Sequence, residues 1–330
     1  MLLKSPYFSY NLLTIFTKGT ILKRYFFVIF TIFLFVIMLL FPGDVFQGAR
    51  NGLLLWFETV LPTLLPFLII VNIMLRTSLI RHISRLVYPV LGPLFSVSPG
   101  GCFAVLTGFL CGYPMGAKVT ADLVRDRRIS SREGAYLLSF CNNTSPGFMA
   151  GFVVCQTIGD PSLVFGSMII FLLVPVVLSF AFCRIYLKKE THPAPTVFHG
   201  DNGRFSMDVL DLSIMDSFET ITKIGGYIIV FSVFLELACK LPFAGTLPGR
   251  LLLSFLEITN GVVMLETLPL PFSLRYACIM GLCAFGGFCA GAQTNGMLNG
   301  SGLKITPYIA EKLAAGAAAS LMAYLYIQIL

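Results

Sequence analysis

Apolar segments long enough to cross a membrane recur along most of the sequence, and they constrain the fold more than any other feature. A helix rises about 1.5 Å per residue and the hydrocarbon core of a bilayer is about 30 Å thick, so a crossing takes about 20 apolar residues. We predict seven spans, at residues 25–41, 57–76, 133–159, 162–185, 218–239, 272–298 and 308–330. Only 12% of the 330 residues are charged, about half the share found in globular proteins. The sequence therefore predicts an all-α polytopic membrane protein, placed in a bacterial cytoplasmic membrane.

Two further apolar segments are too short to span. Residues 102–117 reach about 24 Å as a helix, and they contain GYPMG at 112–116 and have basic residues on both flanks. A segment with inside-type charge at both ends most economically enters and leaves by the same face, which predicts a re-entrant helical hairpin. Residues 251–268, interrupted by EITNG at 257–261, form the matching hairpin candidate in the second half.

The basic residues predict an orientation. All but four of the 23 Lys and Arg residues fall in five segments that we assign to the cytoplasm: 1–24, 76–85, 118–132, 184–223 and 304–312. The exceptions are Arg50, Lys240, Arg250 and Arg275. Cytoplasmic loops are enriched in Lys and Arg, and one alternating path satisfies this rule. It places the N-terminus in the cytoplasm and the C-terminus outside.

The second half of the sequence repeats the plan of the first. We divide the chain into a basic segment with the first transmembrane helix (1–50), a first repeat (51–189), a cytoplasmic linker (190–213) and a second repeat (214–330). The tripeptide FET opens a span at 57–59 and again at 218–220. The two repeats start at opposite faces, so they are predicted to be inverted. Inverted repeats with interrupted helices are typical of secondary transporters, although neighbouring helices can also accommodate such breaks as simple kinks.

Several motifs resemble a known family. They are GFLCGYPMGAK at 108–118, SREGA at 131–135 leading into FCNNTSPGF at 140–148, LEITNG at 256–261 and FGG at 285–287. Over roughly residues 40–330 the chain resembles the YlbJ-type sporulation integral membrane proteins. Those proteins are placed in the nucleoside-recognition, or Gate, domain group, which is similar to the core of concentrative nucleoside transporters and to the gate of ferrous-iron transporters. The resemblance implies a spore-forming bacterium and a role in sporulation at the spore cortex.

The resemblance to nucleoside transporters also implies a substrate site at the hairpin tips and in the interrupted helices. The matching residues are Gly112, Tyr113, Pro114 and Gly116, then Asn142, Asn143 and Ser145, then Glu257, Thr259 and Asn260, and finally Gln293 and Asn295. The oxygens of Asn143, Thr144 and Ser145 also suit a coupling cation, with Na⁺ and H⁺ as the alternatives. These polar side chains have a second interpretation, in which they only satisfy the helix break before Pro146 and Gly147.

Two charged residues have competing interpretations as well. Glu257 lies in an apolar segment, where a carboxylate costs at least about 2.5 kcal/mol. It is therefore either a functional residue, the N-terminal cap of a helix, or a neutral buried acid that is hydrogen-bonded to a neighbour. Lys118 either meets an anionic substrate or extends to the cytoplasmic face.

The sequence carries no enzyme signature and no cofactor motif. A phosphate-binding Gly-Lys-Ser/Thr loop, an H-E-x-x-H motif and a Gly-x-Ser-x-Gly motif are all absent, so we do not expect an enzyme. The expected partners are membrane lipid and a small polar solute, with self-association left open and nucleic acid excluded. The leading hypothesis is a transporter-like protein for such a solute, which includes nucleoside-like ones. The alternatives are a non-transporting scaffold or assembly factor for the spore cortex or envelope, and a membrane-embedded transferase or lipid-handling protein.

Overall fold

The computed structural model describes residues 25, 28–188 and 206–330. The predicted basic N-terminal segment and most of the predicted linker lie outside these residues. The chain divides into two compact units, Met1–Gln47 and Gly48–Leu330. The first unit contains helix α1, Val28–Leu40, and the second contains every element discussed as part of the site.

The described residues are helical and contain no strand. The remaining helices are α2 (Pro42–Leu54), α3 (Leu61–Arg76), α4 (Leu79–Phe95), α5 (Pro99–Cys111), α6 (Met115–Arg125), α7 (Ser131–Cys141), α8 (Val164–Tyr186), α9 (Met207–Ala238), α10 (Leu247–Ser254), α11 (Ile258–Glu266), α12 (Phe272–Phe285), α13 (Gly287–Met297) and α14 (Ile305–Ile329). Two π-helical segments, Leu55–Val60 and Phe148–Ile158, lie between α2 and α3 and after α7. Because α9 already begins at Met207, the last residues of the predicted linker are helical.

Five helical segments within the described residues are long and apolar enough to cross a membrane: Pro42–Arg76, Pro161–Tyr186, Met207–Ala238, Phe272–Met297 and Ile305–Ile329. They confirm the predicted class, an all-α polytopic membrane protein. The other two predicted spans look different. Helix α1 has a described apolar part of only 13 residues, and predicted span 133–159 is split into α7 and a π-helix of 11 residues each. The total of seven spans stays a prediction.

In the first half, α4 meets α5 at a bend of 89°. Ser98 begins α5 by accepting a hydrogen bond from the backbone N–H of Gly101 at 3.2 Å. Helix α5 packs against α6, and we call this pair hairpin 1. It extends from Pro99 to Arg125 and is thus longer than the predicted 102–117, because polar residues of α6 continue the helix beyond the apolar stretch.

In the second half, α10 packs against α11, and we call this pair hairpin 2. The next segment is divided into α12 and α13 at Gly286, whose φ of +94° lies in the region that favours glycine. Helix α14 crosses α12 very closely, since a Cβ atom on Gly316 would lie 3.0 Å from the carbonyl oxygen of Gly281. Small residues allow such backbone approach in membranes. This crossing holds α14 against α12, near the centre of the molecule.

Candidate functional site

Each hairpin tip is hydrogen-bonded to a helix break. At hairpin 1, the backbone N–H of Tyr113 donates to the carbonyl oxygen of Asn143 at 2.5 Å. At hairpin 2, the carbonyl oxygens of Phe255 and Leu256 accept from the N–H groups of Phe288 and Cys289 at 2.7 and 2.9 Å. Backbone groups released by a break cannot be satisfied by lipid. The tips and the breaks therefore satisfy one another.

The two tip-and-break pairs also contact each other. The ring of Tyr113 extends from hairpin 1 to the break between α12 and α13, where a Cβ atom on Gly286 would lie 3.2 Å from its Cε1 atom. Gly112 precedes Tyr113 with a φ of +81°, and a Cβ atom there would lie 2.6 Å from the backbone nitrogen of Ser145. All four interruptions thus meet at one place.

A cavity of about 100 Å³ lies where they meet, and we call it the central cavity. Six predicted site residues line it: Tyr113, Thr144, Ser145, Glu257, Thr259 and Gln293. Residues of both π-helical segments complete the wall, among them Thr59 and Phe148. π-Helical turns are frequent at functional sites.

Two hydroxyl groups at the central cavity are buried without a partner. These are the hydroxyl of Tyr113 and Oγ1 of Thr144, which have no hydrogen-bond partner among the described residues. Thr144 is only 2% exposed. A buried polar atom that lacks a partner costs about 1–3 kcal/mol, so both atoms are suited to bind a ligand that enters the cavity.

Glu257 caps a helix and also lines the central cavity. Its Oε1 accepts from the N–H of Thr259 at 3.1 Å, and its Oε2 accepts from the N–H and the side-chain amide of Asn260 at 2.9 and 3.0 Å. It is therefore the N-terminal cap of α11. The same carboxylate lines the central cavity. Glu is not among the preferred capping residues, so capping alone does not explain a carboxylate at this position.

Asn142 and Asn143 lie behind the cavity wall. Asn142, which is 0% exposed, accepts from the N–H of Ala117 at 3.2 Å and donates to Thr294 Oγ1 and to the hydroxyl of Tyr308 at 3.0 and 2.9 Å. The side chain of Asn143 donates to the carbonyl oxygen of Phe140 at 2.7 Å. Neither residue lines the central cavity. The bond from Asn143 to Phe140 matches the interpretation in which it satisfies the helix break, whereas the bonds of Asn142 connect α6, α13 and α14.

The other predicted residues surround this centre. Gly116 faces the end of α7, since a Cβ atom there would lie 2.5 Å from the carbonyl oxygen of Cys141. Pro114 immediately precedes α6, and Asn260 donates two hydrogen bonds to the carboxyl group of Glu257. Asn295 is exposed and does not line the central cavity.

Lys312, which we counted among the cytoplasmic basic residues, is buried inside the protein. It is 1% exposed and its Nζ atom donates to Oδ1 of Asn143 at 2.9 Å. Its location about one turn inside the apolar segment 308–330 was a signal for this, because lysines within membrane segments are rare and functional. The sequence offered no comparable signal for Thr294 and Tyr308, the hydrogen-bond partners of Asn142.

A second, highly charged cavity of about 570 Å³ is lined by Arg76, Lys118, Asp122, Arg125, Asp126, Arg128, Asp216, Glu219 and Lys223, together with uncharged residues. Here Lys118 donates to Asp122 at 2.9 Å and to Asn72 at 3.0 Å. Its side chain is 12% exposed, so it is held within a polar network instead of extending freely to the surface. Most of these residues belong to the segments that we assign to the cytoplasm.

A search among curated proteins finds a relative along nearly the whole chain. The sporulation integral membrane protein YlbJ of Bacillus subtilis (strain 168) is 26% identical over 338 aligned positions, which cover 90% of this chain and 81% of that protein. The chain is similar to YlbJ-type sporulation integral membrane proteins. This finding confirms the predicted resemblance and, with the apolar helices, a multi-pass membrane protein. No protein-family model and no solved structure matches the chain.

Proposed function

We propose that the chain moves a small polar solute across the bacterial cytoplasmic membrane by alternating access, with the central cavity as its binding site. The observation that carries the proposal is the meeting of two hairpin tips and two helix breaks at one polar cavity. Interrupted helices that meet near the bilayer midplane form the binding sites of secondary transporters. In our proposal, 51–189 and 214–330 are the two inverted repeats, and they move against each other around this cavity.

The lining of the central cavity supports a solute class. It offers the carboxyl group of Glu257, the hydroxyl groups of Tyr113, Thr144 and Ser145, and the amide of Gln293, and among the described residues no Lys or Arg lines it. The carboxyl group offers hydrogen-bond acceptors to a solute, and a carboxylate repels an anion. The lining therefore favours a neutral or cationic solute with hydroxyl or amino groups over an anion.

The volume of the cavity bears on the size of that solute. About 100 Å³ is below the range of about 300–1,000 Å³ that holds drug-sized ligands. A nucleoside-like solute would thus enter only after the two hairpin tips separate, whereas a smaller polar solute requires less movement. Similarity to a protein named for sporulation supports the proposal that the solute serves sporulation.

The test compares vesicles that contain the purified protein with empty vesicles. Both are incubated with a mixture of small cellular solutes, and mass spectrometry then identifies the solutes that have accumulated inside. A charge-assisted hydrogen bond contributes about 1.5–3 kcal/mol, so Glu257→Gln should weaken uptake of the enriched solute by about 10–100-fold. Glu58→Gln is the matched control, because Glu58 is exposed and does not line the central cavity.

The scaffold hypothesis gives the opposite pattern. In that case no solute is enriched by the protein, and a sporulating host carrying Glu257→Gln forms spores normally, provided that the variant accumulates in the membrane. This combination would refute the transport proposal.

A further inference from the structure

The break after α7 has the properties of a cation site. Helix α7 ends at Cys141 and the chain becomes helical again at Pro146, just before the π-helical segment. The last carbonyl groups of a helix carry its negative end, and in transporters with broken helices such ends coordinate the coupling cation. From the sequence we assigned a cation to Asn143, Thr144 and Ser145 at this same break.

The structure places the amine nitrogen of a lysine there. The ammonium group of Lys312 lies 2.9 Å from Oδ1 of Asn143, and the side chain is almost completely buried. Among the described residues, no carboxylate forms an ion pair with Lys312. The neighbouring Glu311 is oriented differently, since it accepts a hydrogen bond from Tyr186 of α8. The amide oxygen of Asn143 is thus the hydrogen-bond acceptor that the structure gives this group.

We propose that the break after α7 is a monovalent-cation site that the ammonium group of Lys312 fills permanently from within the chain. An ammonium group has three N–H donors, and it can replace a metal ion where the ligands are neutral oxygens. Asn143, which would otherwise coordinate a free ion, is used by Lys312. Thr144 and Ser145 line the central cavity instead and are left for the solute.

One consequence concerns coupling. If the chain transports a solute, this break needs no sodium ion, because a tethered cation is present in every cycle. That consequence rests on the proposed function, whereas the occupation of the site by Lys312 does not.

The test is the thermal stability of the purified full-length protein in choline chloride, sodium chloride or ethylammonium chloride. Lys312→Ala removes the ammonium group and leaves space for a small cation. We expect it to unfold at a lower temperature than wild type in choline. A site-bound cation at ten times its dissociation constant should then raise its Tm by about 2–5 °C. Wild type and Lys304→Ala, which alters an exposed lysine at the start of the same helix, should respond to neither cation.

A second variant decides the question if Lys312→Ala does not accumulate. Lys312→Met keeps the length of the side chain without its charge. A lysine that is merely tolerated in the interior should be replaced by Met with no loss of stability or with a gain, whereas a filled cation site should lose stability. A Lys312→Met protein as stable as wild type, or a Lys312→Ala protein that responds to neither cation, would overturn the proposal. Because these measurements need no solute movement, they can fail independently of the transport proposal.

Discussion

Asn142 joins three helices through one side chain, and its removal tests how the centre of the molecule is held together. Its amide oxygen accepts from the first turn of α6, and its amide nitrogen donates to Thr294 on α13 and to Tyr308 on α14. The Asn142→Ala variant deletes all three hydrogen bonds at a fully buried position. We therefore expect a clear loss of stability.

The size of this loss follows from the number of bonds. Interhelical hydrogen bonds in a membrane protein contribute about 0.6 kcal/mol each on average and about 1.7 kcal/mol at most. Three of them give about 2 kcal/mol, with an upper bound near 5 kcal/mol. The upper part of this range applies if the N–H of Ala117 is left without a partner in the protein interior. The two hydroxyl groups of Thr294 and Tyr308 lie 3.5 Å apart and can partly satisfy each other.

The free energy of unfolding, measured by titration with SDS in mixed micelles, checks this value. Asn295→Ala is the matched control, because it makes the same change at an exposed position of α13. The control should cost less than about 0.5 kcal/mol. Equal losses in the two variants would show that the Asn142 network does not stabilise the fold, and the reasoning would be wrong.

Two further predictions concern the backbone and the topology. Gly286→Ala should lower stability by about 1–2 kcal/mol, because the φ of +94° is unfavourable for a residue with a Cβ atom. Gly226→Ala, in α9 with open space around it, should raise stability by up to about 1 kcal/mol, and thermal unfolding of both variants compares them. A reporter that is active only outside the cytoplasm should work when fused after Leu330, and one that is active only inside should work after Lys188. The reverse pattern would contradict the predicted orientation.

The sequence predicted the elements of the fold well because membrane segments are recognisable from composition alone. Lipid requires long apolar helices, and five of the predicted spans overlap helical segments that are long enough to cross a membrane. The remaining differences have local causes. At 142–145 the chain leaves the helix, so predicted span 133–159 becomes two short helices. The apolar stretch at 102–117 underestimates hairpin 1, because α6 continues into polar residues that composition assigns to a loop.

For the candidate site, the sequence predicted only which segments of the chain take part. Its motifs marked both tips and both breaks, and six of the residues they selected line the central cavity. Which side chains face the cavity was not predictable. Asn142 and Asn143 resemble ligands in the sequence, but the structure uses them to connect helices.

The sequence by itself indicated that lipid surrounds much of this protein, and it predicted the class of the fold and the location of the interrupted helices. It could do so because hydropathy and helix-breaking residues act locally along the chain. Only the tertiary structure decided that Tyr113 meets the Gly286 break and that Lys312 is buried against Asn143. The residues of each pair are distant in sequence. They meet because hairpin 1 contacts the break between α12 and α13, and because α14 packs against both α12 and α7.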